Sequence, residues 1–276
     1  MPRTNANHVE NDESSNRYKR IIADIFLKHH AAGDFPLEFD RTEIEETARQ
    51  LGIVLPKNLG DVMYAIRYRI EMPREVVLAA DSGMEWVIKG AGRARYRFEQ
   101  VPLCRIVPNA NLVSIKLPDS TPGIIGKYSL NDEQALLAKV RYNRLVDVFL
   151  GITAYSLQNH LRTTVKGIGQ IEIDEVYVGL DRHGRQFVVP VQAKGGKDKH
   201  GVVQTQQDIA WCKQKLPQLI SRPVSAQFMA DGRIAMFELT LEGDAVRVVD
   251  EKHYELVPPK DISNEDLVAY SNRVPA

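Results

Sequence analysis

Residues 171–196 read IEIDEVYVGLDRHGRQFVVPVQAKGG, two stretches rich in β-branched residues with a polar, glycine-containing turn, DRHGR, between them. Such a run favours a pair of strands, and strands joined so closely pair antiparallel. The constraint extends to chemistry. Side chains two apart on a strand share a face, so Gln192 and Lys194 look the same way, with only the small Ala193 between them. Asp174 on the first strand reaches the same volume if the strands pair. Glu172 shares the face of Asp174 as a reserve ligand, whereas Glu175 points to the other face and reads as structural or solvated. A carboxylate, an amide oxygen and an ammonium meeting at one point suit a hard divalent cation. They suit an anionic substrate such as a phosphodiester equally well.

The rest of the chain bounds this reading. With 276 residues there is room for one large or two modest domains. The formal net charge is zero, so contact with nucleic acid must come from local patches rather than a global basic field. Cys104 and Cys212 lie far apart, which argues against a disulfide framework and for a reducing, cytoplasmic setting. No apolar run has membrane-spanning length. The first sixteen residues, MPRTNANHVENDESSN, lack the apolar core of a signal peptide and read as a disordered polar tail. There is no phosphate-cradling glycine loop and no nucleophile elbow, which ranks small-molecule hydrolases and transferases last.

Residues 17–31 carry apolar groups at helical spacing, ending on His29 and His30 where imidazolium would suit the helix dipole. A second helix is expected from Arg41, capped by Asp40, to about Leu51, with Gly52 closing it. A third follows over LGDVMYAIRYRI. MEWVIKGAGRARYRF then reads as a two-stranded wing around Gly90 and Gly92. This layout resembles a winged-helix DNA-binding domain over residues 17–100. The resemblance implies DNA contacts from Lys57, Asn58 and Arg67 on the recognition helix and from Lys89, Arg93 and Arg95 on the wing. Alternating arginines on an exposed strand are equally read as a solvated edge.

Residues 101–128 read as strands and loops, and Asp119 falls between proline-rich turns. One continuous helix is expected over 130–150, and another over TAYSLQNHLRTT. A further helix is expected over GVVQTQQDIAWCKQKLPQL, and short strands over VSAQFM, IAMFELTL and VRVVDEKHYELV.

The pattern D-x(17)-Q-x-K formed by Asp174, Gln192 and Lys194, with the string VQAKGG, resembles the PD-(D/E)xK nuclease superfamily. The Q-x-K form is similar to its Mrr-like branch. Ile173 stands where many members have Pro, and Gln192 where most have Glu or Asp, which lowers the negative charge offered to a metal. The resemblance covers roughly residues 130–220. It implies an α/β (α+β) fold, a restriction-endonuclease-like mixed central sheet flanked by helices, over residues 101–276. It also implies Mg2+ held by Asp174, Gln192 and the Ala193 carbonyl, with Lys194 as the catalytic partner of the attacking water or of the non-bridging phosphate oxygen. Glu133 would supply a third carboxylate from the preceding helix, or else merely complement that helix's N-terminus. Gln204 and Gln207, three apart on the following helix, would face the site or form a solvated face. Lys197 and Lys199 would meet phosphates flanking the scissile bond.

The activity expected is Mg2+-dependent, restriction-type cleavage of double-stranded DNA by a homodimer, because two strands favour two sites. The alternatives are a modification-dependent, Mrr-like nuclease and a non-cleaving winged-helix regulator. Restoring the commoner ligand by Gln192→Glu is expected to keep or raise activity.

Overall fold

The computed structural model describes residues 6–33, 36–68, 70–104, 106–128, 133–195 and 200–272; for 6–16, 61, 64, 67 and 68 it describes the backbone alone. The chain forms two compact units. The first holds the chain up to Cys104 together with Thr164–Gln170 and Gly201–Val203, and the second holds the remainder. Among the described residues, no helix is long and apolar enough to cross a membrane.

In the first unit the order is α1 (Ala6–Ala32), β1 (Leu37–Asp40), α2 (Arg41–Gln50), α3 (Leu59–Tyr68), α4 (Arg74–Leu78), β2 (Met84–Gly90) and β3 (Arg95–Pro102). The strands make an antiparallel three-stranded sheet in the order β1-β3-β2. Asp40 ends β1 and caps α2, its Oδ1 accepting the backbone N–H groups of Thr42 (2.8 Å) and Glu43 (3.1 Å). Past α2, Gly52 has φ +66°, a conformation at a helix end that favours glycine. Ile21, Ile22, Ile25 and Phe26 of α1 are buried against this sheet, with the Phe26 ring centroid 5.1 Å from that of Phe98 and 5.2 Å from that of Trp86. Residues 6–16, read from sequence as part of a disordered tail, continue α1 instead. Once the packed part of a helix exists, each added residue gains a hydrogen bond without a new nucleation cost.

The second unit contains β4 (Ile115–Pro118), α5 (Gly123–Tyr128), α6 (Glu133–Tyr142), α7 (Leu145–Leu150), most of β5 (Thr153–Val165) and of β6 (Gly169–Leu180), and β7 (Gln186–Lys194). It continues with most of α8 (Val202–Lys215), then β8 (Ile220–Ser221), β9 (Val224–Phe228), β10 (Ile234–Glu242), β11 (Ala245–Val257) and α9 (Asn264–Ser271). Its eight-stranded sheet runs β4-β11-β10-β9-β7-β6-β5, with β8 also on β7. The sheet is mixed: β6 and β7 are antiparallel, whereas β7 pairs parallel with β9. A parallel neighbour needs a crossover, and α8 provides it. The fold is therefore mixed α/β, with helices on a mixed sheet.

Strand β7 is buried from Phe187 through Lys194, which is why its sequence is a continuous apolar run rather than an alternation. Pro190 sits inside it. Proline cannot donate to a ladder, and Pro190 falls where the parallel partner changes, after Val188↔Ser221 on β8 and before Val191↔Val224 on β9.

Two expected helices are corrected. The helix over 130–150 is broken in two, because Arg144 takes the left-handed conformation (φ 51°, ψ 38°) between α6 and α7. The helix over TAYSLQNHLRTT is instead the edge strand β5. The segment carries only a weak local preference of its own. Pairing with β6 outweighed it, as tertiary context commonly does.

Candidate functional site

The β6–β7 hairpin brings the predicted residues together by opening. Its ladder runs from Leu180↔Gln186 beside the turn to Glu175↔Val191. Side chains take over beyond that pair. Asp174 Oδ2 accepts the backbone N–H of Ala193 at 2.8 Å, and Gln192 Nε2 donates to the carbonyl oxygen of Glu172 at 3.1 Å. Meanwhile β7 continues on β9 through Lys194↔Gln227. The gap is thus rigid on one side and occupied by the Asp174 carboxylate on the other.

Gln192 is oriented by a residue that sequence reasoning passed over. Its Nε2 also donates to Asp208 on α8, 3.2 Å from Oδ1 and 3.1 Å from Oδ2. With both partners on the nitrogen side, the amide is oriented with its oxygen turned away from Asp208. Asp208 is buried, and burial pushes its carboxyl well above the usual range. The Asp174 charge adds to this, whereas Gln192 and Lys194 oppose it. Asp174 is itself pushed up by burial, against the lowering effects of Lys194 and the Ala193 N–H. Lys194 is the cation that both acids sense, and it is nearly buried. Its Nζ lies 3.5 Å from Glu133 Oε1, so the first residue of α6 does reach the group.

His200 is a second residue the sequence did not single out. It is buried, with Nε2 2.7 Å from Thr205 Oγ1. Burial and the neighbouring Lys194 charge lower its imidazole to about 3, so it is neutral at ordinary pH. One signal for Asp208 was present in the sequence. It lies four residues after Gln204 and one after Gln207, and all three are buried, whereas Lys213, Gln214 and Lys215 at the end of the same helix are exposed. The solvated-face reading is therefore excluded for Gln204 and Gln207. Glu172 is tied to β5, 3.3 Å from Arg162 and 3.9 Å from His160.

In the first unit, Asn58 is committed at the start of α3, where its Oδ1 accepts the N–H of Gly60 at 3.1 Å. Lys57 and Arg93 are exposed. Lys89 bonds Glu99 (2.6 Å), Arg97 also bonds Glu99 (3.0 Å), and Arg95 bonds Glu38 (3.2 Å). Much of the positive charge on β2 and β3 is thus matched by carboxylates of the same sheet. The Arg67 side chain, Lys197 and Lys199 lie outside the described residues.

Among the described residues, no three His, Cys, Asp or Glu side chains gather in a way that would hold a metal ion. A magnesium site does not require this. Mg2+ commonly takes one or two carboxylates and completes its shell with water and substrate oxygens. Asp174 spends Oδ2 on Ala193, which leaves Oδ1. The oriented oxygen of Gln192 and the Ala193 carbonyl add neutral hard donors. A cation here would also relieve the burial that disfavours the Asp174 carboxylate. The donor set fits the ion.

Compared with protein-family models, with curated proteins and with solved structures, the chain gives no match to any of them.

Proposed function

We propose that this protein is a Mg2+-dependent endonuclease that hydrolyses phosphodiester bonds in double-stranded DNA, with a restriction-endonuclease-like core in its second unit. The observation that carries the reading is the opened hairpin. Asp174, Gln192 and Lys194 converge where β6 and β7 part, and the Gln192 amide is turned by Asp208. A mixed sheet supports it, with a carboxylate-bearing helix before the hairpin and a glutamine-bearing helix after it. The order helix, strand, three helices, then two strands, with sheet order β1-β3-β2 in the first unit, supports a winged-helix-like module for DNA binding with one short helix, α4, added before the wing.

Asp174 and the oxygens of Gln192 and Ala193 would hold the Mg2+, which supplies charge neutralisation and a more acidic water. Lys194 directs its ammonium at the attacking water or at a non-bridging phosphate oxygen. In this nearly buried position, such a charge acts more strongly than it would in water. Glu133 holds that ammonium in place, and two copies of the chain would serve the two strands.

The deciding experiment is a digest of complex DNA, methylated and unmethylated, with Mg2+ or with a chelator, followed by sequencing of the fragment ends. Discrete, Mg2+-dependent ends are expected, and their dependence on methylation separates restriction from modification-dependent cleavage. Intact DNA in every arm, from folded protein, would refute the nuclease reading.

A further inference from the structure

The other face of the same hairpin carries a second cluster of charged groups, independent of the proposed nuclease centre. Glu175 is wholly buried. Its Oε1 accepts Arg141 Nε of α6 at 2.9 Å and Ser156 Oγ of β5 at 2.6 Å. Glu175 Oε2 has no close hydrogen-bond partner among the described residues, and the buried Tyr177 hydroxyl interacts with both Glu175 and Arg141. This arrangement opens onto a cavity of about 350 Å3 lined by Arg141, Arg144, Asp147, Tyr155, Ser156 and Tyr177, with an apolar floor that includes Val146.

Stability alone does not account for these features. A buried carboxylate with a half-satisfied head is usually replaced by apolar packing without loss. Arg144 also holds a left-handed backbone, a strained state that tends to persist at ligand sites. The ion pair it makes with Asp147 points its guanidinium along the same wall. Arg141 commits Nε to Glu175 and also interacts with Tyr177, but its side chain is 38% exposed and lines the cavity. The Tyr155 side chain lines the same cavity and is 60% exposed.

Two guanidinium groups are the natural partners of phosphate oxygens, and an exposed tyrosine ring is a surface on which a base stacks. Asp147 and Glu175 offset the two positive charges, so a bare anion gains little here and a ligand needs the ring as well. The volume lies at the small end of ligand pockets, which span roughly 300–1,000 Å3, and suits a single unit. We propose that this cavity binds a nucleoside monophosphate, either free or as the phosphorylated end of a strand, with its phosphate on Arg141 and Arg144 and its base on Tyr155.

The test is calorimetric titration of the full chain, in chelator so that no probe is cleaved. The probes are dAMP, deoxyadenosine, inorganic phosphate and a short single-stranded oligonucleotide with a 5′-phosphate. Binding of dAMP about tenfold tighter than of deoxyadenosine or phosphate is expected. Arg144→Ala and Tyr155→Ala, both at largely exposed side chains, should each weaken it by about tenfold while leaving the melting transition in place. Tighter binding of the oligonucleotide identifies a strand end, and equal or weaker binding a free nucleotide; either supports the site. The proposal is overturned if no probe binds, if phosphate binds as well as dAMP, or if both variants bind as wild type does.

Discussion

Asp174 and Glu175 are neighbours in sequence, acids on one strand, and they look in opposite directions. Glu175 is locked by direct side-chain bonds from Arg141 and Ser156. Asp174 is held by a single backbone N–H and feels the charge of Lys194. A carboxylate gripped by two side chains is fixed in place, whereas one held by a single backbone N–H keeps more lone pairs for something that arrives later. The difference arises from the ladder, which is closed at Glu175 and open at Asp174.

The comparison breaks most sharply if the lysine is removed. Lys194→Ala should lower Mg2+-dependent nicking of plasmid DNA by about a thousandfold while the protein still unfolds cooperatively. Activity equal to wild type would take Lys194 out of the mechanism. On the other face the loss should appear in stability instead. Arg141→Ala strands a buried carboxylate and should cost about 3 kcal/mol in urea unfolding, a figure at the low end because the arginine is partly exposed. No change in the midpoint would mean that the Glu175 carboxyl is rehydrated at no cost.

A subtler test concerns Gln192. Asp208→Ala frees the amide to rotate and should reduce cleavage by about 10–100-fold, as is usual when the group behind a ligand is lost. The structure also revises the expectation for Gln192→Glu. The new carboxyl would face the buried Asp208 carboxyl, and two acids so placed share one proton. The single variant should therefore lose activity, and adding Asp208→Asn should restore it. Additive losses in that double-mutant cycle would show that the two side chains do not act through each other.

The smallest effect is one of pH. Asp208 has its folded-state pKa raised by burial, so it binds its proton more tightly folded than unfolded. Its stabilising contribution is complete below the ordinary value of 3.8 and is lost as pH rises through the raised value. The melting temperature of wild type relative to Asp208→Asn should accordingly fall as pH increases from about 4, then level off. A difference independent of pH would show that Asp208 is already ionised in the folded state.

Several parts of this were legible in the sequence. The hairpin could be read because each strand was long, β-branched and bounded by a polar turn. Asp174, Gln192 and Lys194 could be placed because strand periodicity fixes their faces. The cap at Asp40 and the terminator Gly52 were local, and local rules sufficed. Strand β5 was misread because TAYSLQNHLRTT carries no strong preference of its own and takes its form from β6. The break at Arg144 gave no warning, since nothing in LAKVRYNRLVDVFL marks a left-handed residue. Asp208 stayed hidden because a polar helix face looks solvated until something is known to cover it.

One arrangement has a bearing on how the molecule comes to exist. Asp174, Gln192, Lys194 and Asp208 all fall in one uninterrupted stretch of chain, and only Glu133 comes from outside it. Contacts between positions so near along the backbone close small loops and assemble early. The nascent polypeptide would therefore acquire its acid, amide and amine together, before the distant strands β10 and β11 have been added to the sheet.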